Sequence, residues 1–98
     1  LREFKWLMSN KAVTPAMLTN SINDATALYL YQDANDIYEY KAQNRNLKGN
    51  GFANWMQANE FIGNTKQELN NIERFEQING KSALSQYWKS IKSFVAYI

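Results

Sequence analysis

The stretch ALYLYQDANDIYEYK, residues 27–41, can form either two tyrosine-rich strands or helix, and the two outcomes give different fold classes. Read as a hairpin, YLY and IYEY are runs of strong strand formers, and the residues between them could turn. Two features oppose the hairpin: the loop contains no glycine, and neither run alternates apolar with polar residues. A strand pair at residues 27–41 is therefore the alternative, and helix is the expectation.

One straight helix across this stretch could not place all of its apolar residues on one side. At ~100° per residue, the apolar set before it and the apolar set within it would project about 130° apart. The two sets are Leu18, Ile22, Ala25 and Tyr29, and then Leu30, Ala34, Ile37 and Tyr38. A break near Gln32 removes the conflict, since Asp33 can cap a new helix with Asp36 in its first turn, where carboxylates are favoured.

Start and stop signals for helices recur along the rest of the chain. Thr14 before Pro15, Asn64 with Gln67, and Ser82 are typical helix starts, and Gly63 and Gly80 are typical ends. Apolar residues at helical spacing follow these starts, and also mark residues 1–8 and 52–62. We predict an all-α, compact single domain over residues 1–98, a bundle of five or six short helices.

Composition sets wide limits on function. The 98 residues are 45 % apolar and 14 % aromatic, with a net charge of +2, as in globular domains. The chain has no cysteine and no histidine, which excludes disulfides, thiolate nucleophiles, imidazole bases and most zinc, haem and iron–sulfur sites. No apolar run approaches the roughly 20 residues of a membrane span, so we expect a soluble domain without a membrane partner. The expected location is the cytoplasm.

Catalysis would have to depend on carboxylates, lysine, tyrosine or serine. Asp33 and Asp36 could hold a cation or act as acid and base, but on one helical turn they more simply cap the helix. Glu73 and Glu76 share a face in the same way and are expected to face solvent. The segment at 48–51 lacks the pattern of a phosphate-binding loop. We expect neither an enzyme nor a bound cofactor or metal.

The aromatic residues favour protein–protein binding. Six tyrosines and three tryptophans exceed what a small helical core readily buries, and these types are enriched at the centres of interfaces. The uncharged, apolar end of the chain suggests a second contact surface, which could serve self-association into a homo-oligomer. The partner-binding candidates are Tyr31, Tyr38, Tyr40, Tyr87, Trp88 and Tyr97.

Nucleic-acid binding is the alternative function. Basic residues beside the aromatic segment GFANW, and in the last nineteen residues, could contact a phosphate backbone. The candidates are Lys41, Arg45, Lys48, Lys89 and Lys92. Residues 52–62 and 64–79 could form a helix-turn-helix, although the second helix is acidic, unlike a recognition helix that binds in the major groove of DNA.

Residues 33–59 resemble the N-terminal segments of phage antirepressor proteins. The likeness consists of DANDIYEY, a basic loop and GFANWMQAN, in which an acidic helix start precedes an FxxW helix. It covers about a quarter of the chain, and the residues after it depart from the pattern. A phage or mobile-element origin is an expectation from this likeness and from the thirteen asparagines, which we otherwise expect at caps and turns.

Overall fold

Five helices follow one another in the part of the chain that the computed structural model describes, which is residues 13–44, 47 and 50–96. They are α1 (Pro15–Ala27), α2 (Tyr31–Gln43), α3 (Gly51–Ile62), α4 (Thr65–Asn79) and α5 (Ala83–Ala96). No strand occurs in these described ranges, so the all-α prediction is confirmed and the hairpin alternative at 27–41 is wrong. The predicted helix at residues 1–8 lies outside the described residues.

The predicted break is present and lies at residues 28–30, two residues before Gln32. The amide of Tyr29 donates to the carbonyl of Thr26 at 3.1 Å, and that of Leu30 donates to Ala25 at 2.8 Å. These are the bonds of a Schellman motif, in which the residue after the helix adopts a left-handed conformation. Tyr29 occupies that position with φ 59°. The backbone closes α1 by itself, and Asp33 lies in the first turn of α2 instead of capping it.

The predicted helix caps are confirmed for three helices. The hydroxyl of Thr14 accepts a hydrogen bond from the amide of Met17 at 3.3 Å, with Pro15 beginning α1. The side-chain oxygen of Asn64 accepts from the amide of Gln67 at 3.0 Å. Ser82 and Ser85 cap α5 reciprocally, each side-chain oxygen accepting the amide of the other. Polar caps therefore fix where α1, α4 and α5 start.

The core surrounds α2, which packs against α1, α3 and α4, whereas α5 packs on α4 and touches α3. Phe52, Trp55 and Phe75 form a cluster of aromatic rings within this core. Both Phe52 and Trp55 are buried in it. α5 contributes no apolar side chain to the buried set, which is Leu18, Ile22, Ala25, Ala34, Ile37, Tyr38, Ala42, Leu47, Phe52, Trp55, Met56, Ala58, Ile72 and Phe75.

Three asparagines are buried inside helices, where we expected caps and turns. The side-chain oxygen of Asn35 accepts hydrogen bonds from Trp55 Nε1 at 2.8 Å, Asn59 Nδ2 at 3.0 Å and Asn71 Nδ2 at 2.9 Å. Asn71 also donates to the side-chain oxygen of Asn59 at 3.1 Å. This asparagine network joins α2, α3 and α4. Because the partners lie on separate helices, no local sequence pattern predicts it.

Candidate interaction surface

Polar side chains attach one side of α5 to the bundle. The hydroxyl of Ser85, which is fully buried, donates to the buried carboxylate of Glu76 at 2.8 Å. Lys89 reaches the other oxygen of Glu76 at 3.4 Å. The expectation that Glu76 faces solvent is therefore wrong, because it anchors two residues of α5. Glu73 is exposed, as expected.

A second polar anchor lies further along α5. The buried amine of Lys92 forms an ion pair with Glu60 of α3 and lies 3.9 Å from Glu68 Oε1 of α4. Glu68 is only 2 % exposed, and its Oε2 has no hydrogen-bond partner among the described residues. Burial raises the pKa of the Glu68 carboxyl to about 7; Glu60 adds to the rise, and Lys92 opposes it.

The outer part of the apolar side of α5, with Tyr87 and Phe94, consequently points away from the bundle. At 100° per residue, the apolar residues centre roughly 120° around the helix from the side that carries Ser85, Lys89 and Lys92. Tyr87 is 60 % exposed and Phe94 is 70 % exposed. We call this surface the α5 face and define it by Leu84, Tyr87, Trp88, Ile91, Phe94 and Val95.

Trp88 joins the α5 face to the body of the domain. Its ring is half-buried, packs against the core and meets the Tyr87 ring edge-on at 6.2 Å between centroids. The Lys92 amine lies over the Trp88 ring, 5.8 Å from the centroid, which is within the range of a cation–π contact. The ion-paired lysine therefore also holds one edge of the apolar surface.

A second apolar patch lies where α1 meets α2. Tyr31 stacks on Phe61 at 4.6 Å between centroids, and Tyr29 meets Tyr31 edge-on at 6.4 Å. Phe61 and Tyr29 are 64 % and 78 % exposed. Beside this stack lies an open groove of about 430 Å³ between α1, α2 and α3, with Tyr38 and Ala58 among its lining residues.

The aromatic candidates from the sequence therefore separate into different environments. Tyr87 is exposed and Trp88 half-buried on α5, and Tyr31 belongs to the patch beside Phe61. Tyr40 is partly buried against the core. Tyr38 is a core residue at 9 % exposure, and burial raises the pKa of its phenol. Tyr97 lies outside the described residues.

The basic candidates do not form one described patch. Lys89 and Lys92 are engaged with carboxylates between α5 and the bundle. Lys41 lies in the last turn of α2, where its charge is favourable to the helix dipole. Arg45 and Lys48 lie outside the described residues. The two lysines of α5 thus stabilise the packing of that helix.

The acidic pairs are not assembled into a metal centre in the described part of the chain. No group of three or more acidic side chains converges there. Asp36 accepts hydrogen bonds from Gln32 at 3.2 Å and from Asn35 at 3.5 Å. Among the helices of the described residues, none combines the length and apolar character that crossing a membrane requires.

Comparison with known proteins returned no relative: no family model matches the chain, and no curated protein or solved structure matches it significantly. The geometry of the helices is therefore the basis for proposing a function.

Proposed function

We propose that this domain is a non-catalytic interaction module that binds another protein through the α5 face. The observation that carries the proposal is the orientation of α5. Ser85, Lys89 and Lys92 attach the helix by its polar side, so Tyr87 and Phe94 project outward. Contiguous apolar side chains on the outside of a domain commonly mark a protein-binding site.

The residue types on the α5 face suit a binding site. Tyrosine and tryptophan are enriched where alanine substitutions weaken interfaces most. Trp88 is positioned by the core on one side and by Lys92 on the other, so little side-chain entropy remains to be lost on binding. Tyr87 and Phe94 add exposed area at two points separated by about two helical turns.

The absence of catalysis is part of the proposal. Carboxylates that could have served chemistry are occupied within the fold: Asp36 accepts from Gln32, and Glu76 accepts from Ser85. Nucleic-acid binding is not proposed, since Lys89 and Lys92 pair with carboxylates of the same domain.

Photo-crosslinking in the cells from which the protein comes tests the proposal. A photoreactive phenylalanine replaces Tyr87 or Phe94, and in matched controls it replaces Asn70 or Glu73, which are exposed on α4. We expect discrete protein adducts from positions 87 and 94 and none from positions 70 and 73. Equal adduct patterns from both helices, or none from α5, would contradict the proposal.

A further inference from the structure

The outermost line of α5 alternates small and large side chains. Ala83, Tyr87, Ser90 and Phe94 are all exposed and follow one another at spacings of four, three and four residues. This spacing keeps the four residues on one line along the helix and is the spacing of a helix–helix seam. We call this line the seam. It borders the α5 face and shares Tyr87 and Phe94 with it.

Antiparallel pairing of two such seams matches large residues with small ones. If Ala83 lies opposite Phe94 of a second copy, Tyr87 necessarily lies opposite Ser90, because both pairs are symmetric about the point between Trp88 and Lys89. One two-fold axis therefore places a small residue opposite a large one at every position of the seam, as an isologous interface requires. A parallel pair would instead place Phe94 against Phe94 and Tyr87 against Tyr87.

The same axis also pairs flanks of like polarity on the two helices. In an antiparallel pair related by this axis, each flank of one helix meets the same flank of the other. Leu84, Ile91 and Val95 lie on one flank, so the apolar flanks of the two copies meet on one side. Gln86 and Ser93 lie on the opposite flank, where polar side chains can remain hydrated.

Charge also favours the antiparallel arrangement. The seam carries no charged residue, so two copies meet without repulsion along it. Lys81 is exposed just before α5, and the symmetry places it opposite Ala96, at the other helix's C-terminal end. α5 has no basic residue in its own last turn, so the partner's lysine would complement the negative end of the helix dipole.

From this geometry we infer that a second copy of the chain occupies the seam, with the two α5 helices antiparallel about an axis between Trp88 and Lys89. The inference rests on the proposed function and names the partner. Pairing along a seam of about three helical turns buries less surface than the roughly 1,200–2,000 Å² buried in stable complexes. The dimer is accordingly weak and concentration-dependent.

Sedimentation equilibrium measures this association directly. Over about 10 μM to about 1 mM, we expect the native chain to pass reversibly from monomer to dimer, a range that covers weak affinities. Ser90→Glu places a carboxylate against the partner's Tyr87 and should raise the dimer dissociation constant at least about tenfold. Asn70→Asp adds the same charge on exposed α4 and should leave the constant unchanged.

Disulfide trapping tests the orientation, since the native chain has no cysteine. A mixture of Ala83→Cys and Phe94→Cys chains should yield the mixed disulfide in excess over either symmetric one. Each chain carries a single cysteine, so every disulfide that forms joins two chains. Predominance of symmetric disulfides would overturn the antiparallel arrangement.

The outcomes separate this inference from the proposed function. A native chain that stays monomeric throughout, while positions 87 and 94 crosslink to a different protein, overturns the self-association and leaves the interaction module standing. A dimer that Ser90→Glu does not weaken overturns the assignment of the seam. A chain with no crosslinks from α5 contradicts the proposed function itself.

Discussion

At the scale of single residues, Asn35 is the polar centre of the fold. Its side-chain oxygen accepts from Trp55, Asn59 and Asn71 in a buried setting. Asn35→Ala removes the acceptor of Trp55 Nε1 and one of two acceptors from each of the Asn59 and Asn71 amides. An unsatisfied buried group costs about 1–3 kcal/mol, so we expect a loss of about that size or more in urea unfolding. Asn70→Ala, on exposed α4, should change stability by less than about 0.5 kcal/mol; equal losses would refute the network's role.

Tyr29 is a residue in a conformation that suits glycine. With φ 59° and 78 % exposure, it closes α1 at a cost that glycine would not carry. Tyr29→Gly should raise the melting temperature, because relief of about 1–2 kcal/mol of left-handed strain exceeds the extra entropy of about 0.5–1 kcal/mol that glycine loses on folding. Tyr29→Ala keeps the unfavourable conformation and loses the contact with Tyr31, so it should not stabilise. Stabilisation by both substitutions would show that backbone strain is not the cause.

Glu68 makes stability depend on pH. Its pKa rises from 4.5 in the unfolded chain to about 7 in the folded one, so the folded state binds the proton more tightly. Its stabilising contribution is full below about pH 4.5 and is lost as the pH rises through about 7, by an amount on the order of 3 kcal/mol.

Glu68→Gln should therefore flatten the decline in unfolding free energy between about pH 4.5 and 7 and leave the neutral protein more stable. Glu73→Gln, on the exposed side of the same helix, is the matched control and should keep the native slope. Glu60 and Lys92 face Glu68 and remain in both variants. An unchanged slope in Glu68→Gln would assign the pH dependence to another group.

At the scale of helices, the sequence predicted the elements better than their packing. Ser82 and the apolar spacing after it correctly predict α5, because caps and periodicity are local properties. Which side of α5 packs against the bundle depends on tertiary contacts. The polar side of α5 is attracted by three carboxylates on α3 and α4, which are Glu60, Glu68 and Glu76. The sequence of residues 82–98 alone does not show where these carboxylates lie.

The orientation of α5 leads to a prediction for stability. Phe94→Ser removes an exposed ring that adds nothing to the buried core, so the free energy of unfolding of the monomer should change by less than about 0.5 kcal/mol. Phe75→Ala removes a buried ring of the aromatic cluster and should cost about 3–5 kcal/mol. Comparable losses in chemical denaturation would place Phe94 in the core.

At the scale of the whole molecule, the fold class followed from the sequence and the candidate site followed only in part. Tyr87 and Trp88 were predicted for binding and lie on the α5 face, yet Tyr38 was predicted with them and is buried. Alternating tyrosines on one stretch cannot all face a core, but composition does not say which ones do. Phe94 and Phe61 were absent from the predicted sites because exposed phenylalanine resembles a core residue in sequence.

Helix α5 rests on its polar side chains and on Trp88, and it shows Tyr87 and Phe94 to solvent. Single cysteines in this cysteine-free chain report this orientation through their rates of maleimide labelling, measured at protein concentrations low enough to keep the chain monomeric. We predict fast labelling of Phe94→Cys, as for an exposed thiol, and labelling of Ser85→Cys slowed at least about tenfold by burial. Fast labelling at position 85 with protection at position 94 would contradict this orientation of α5.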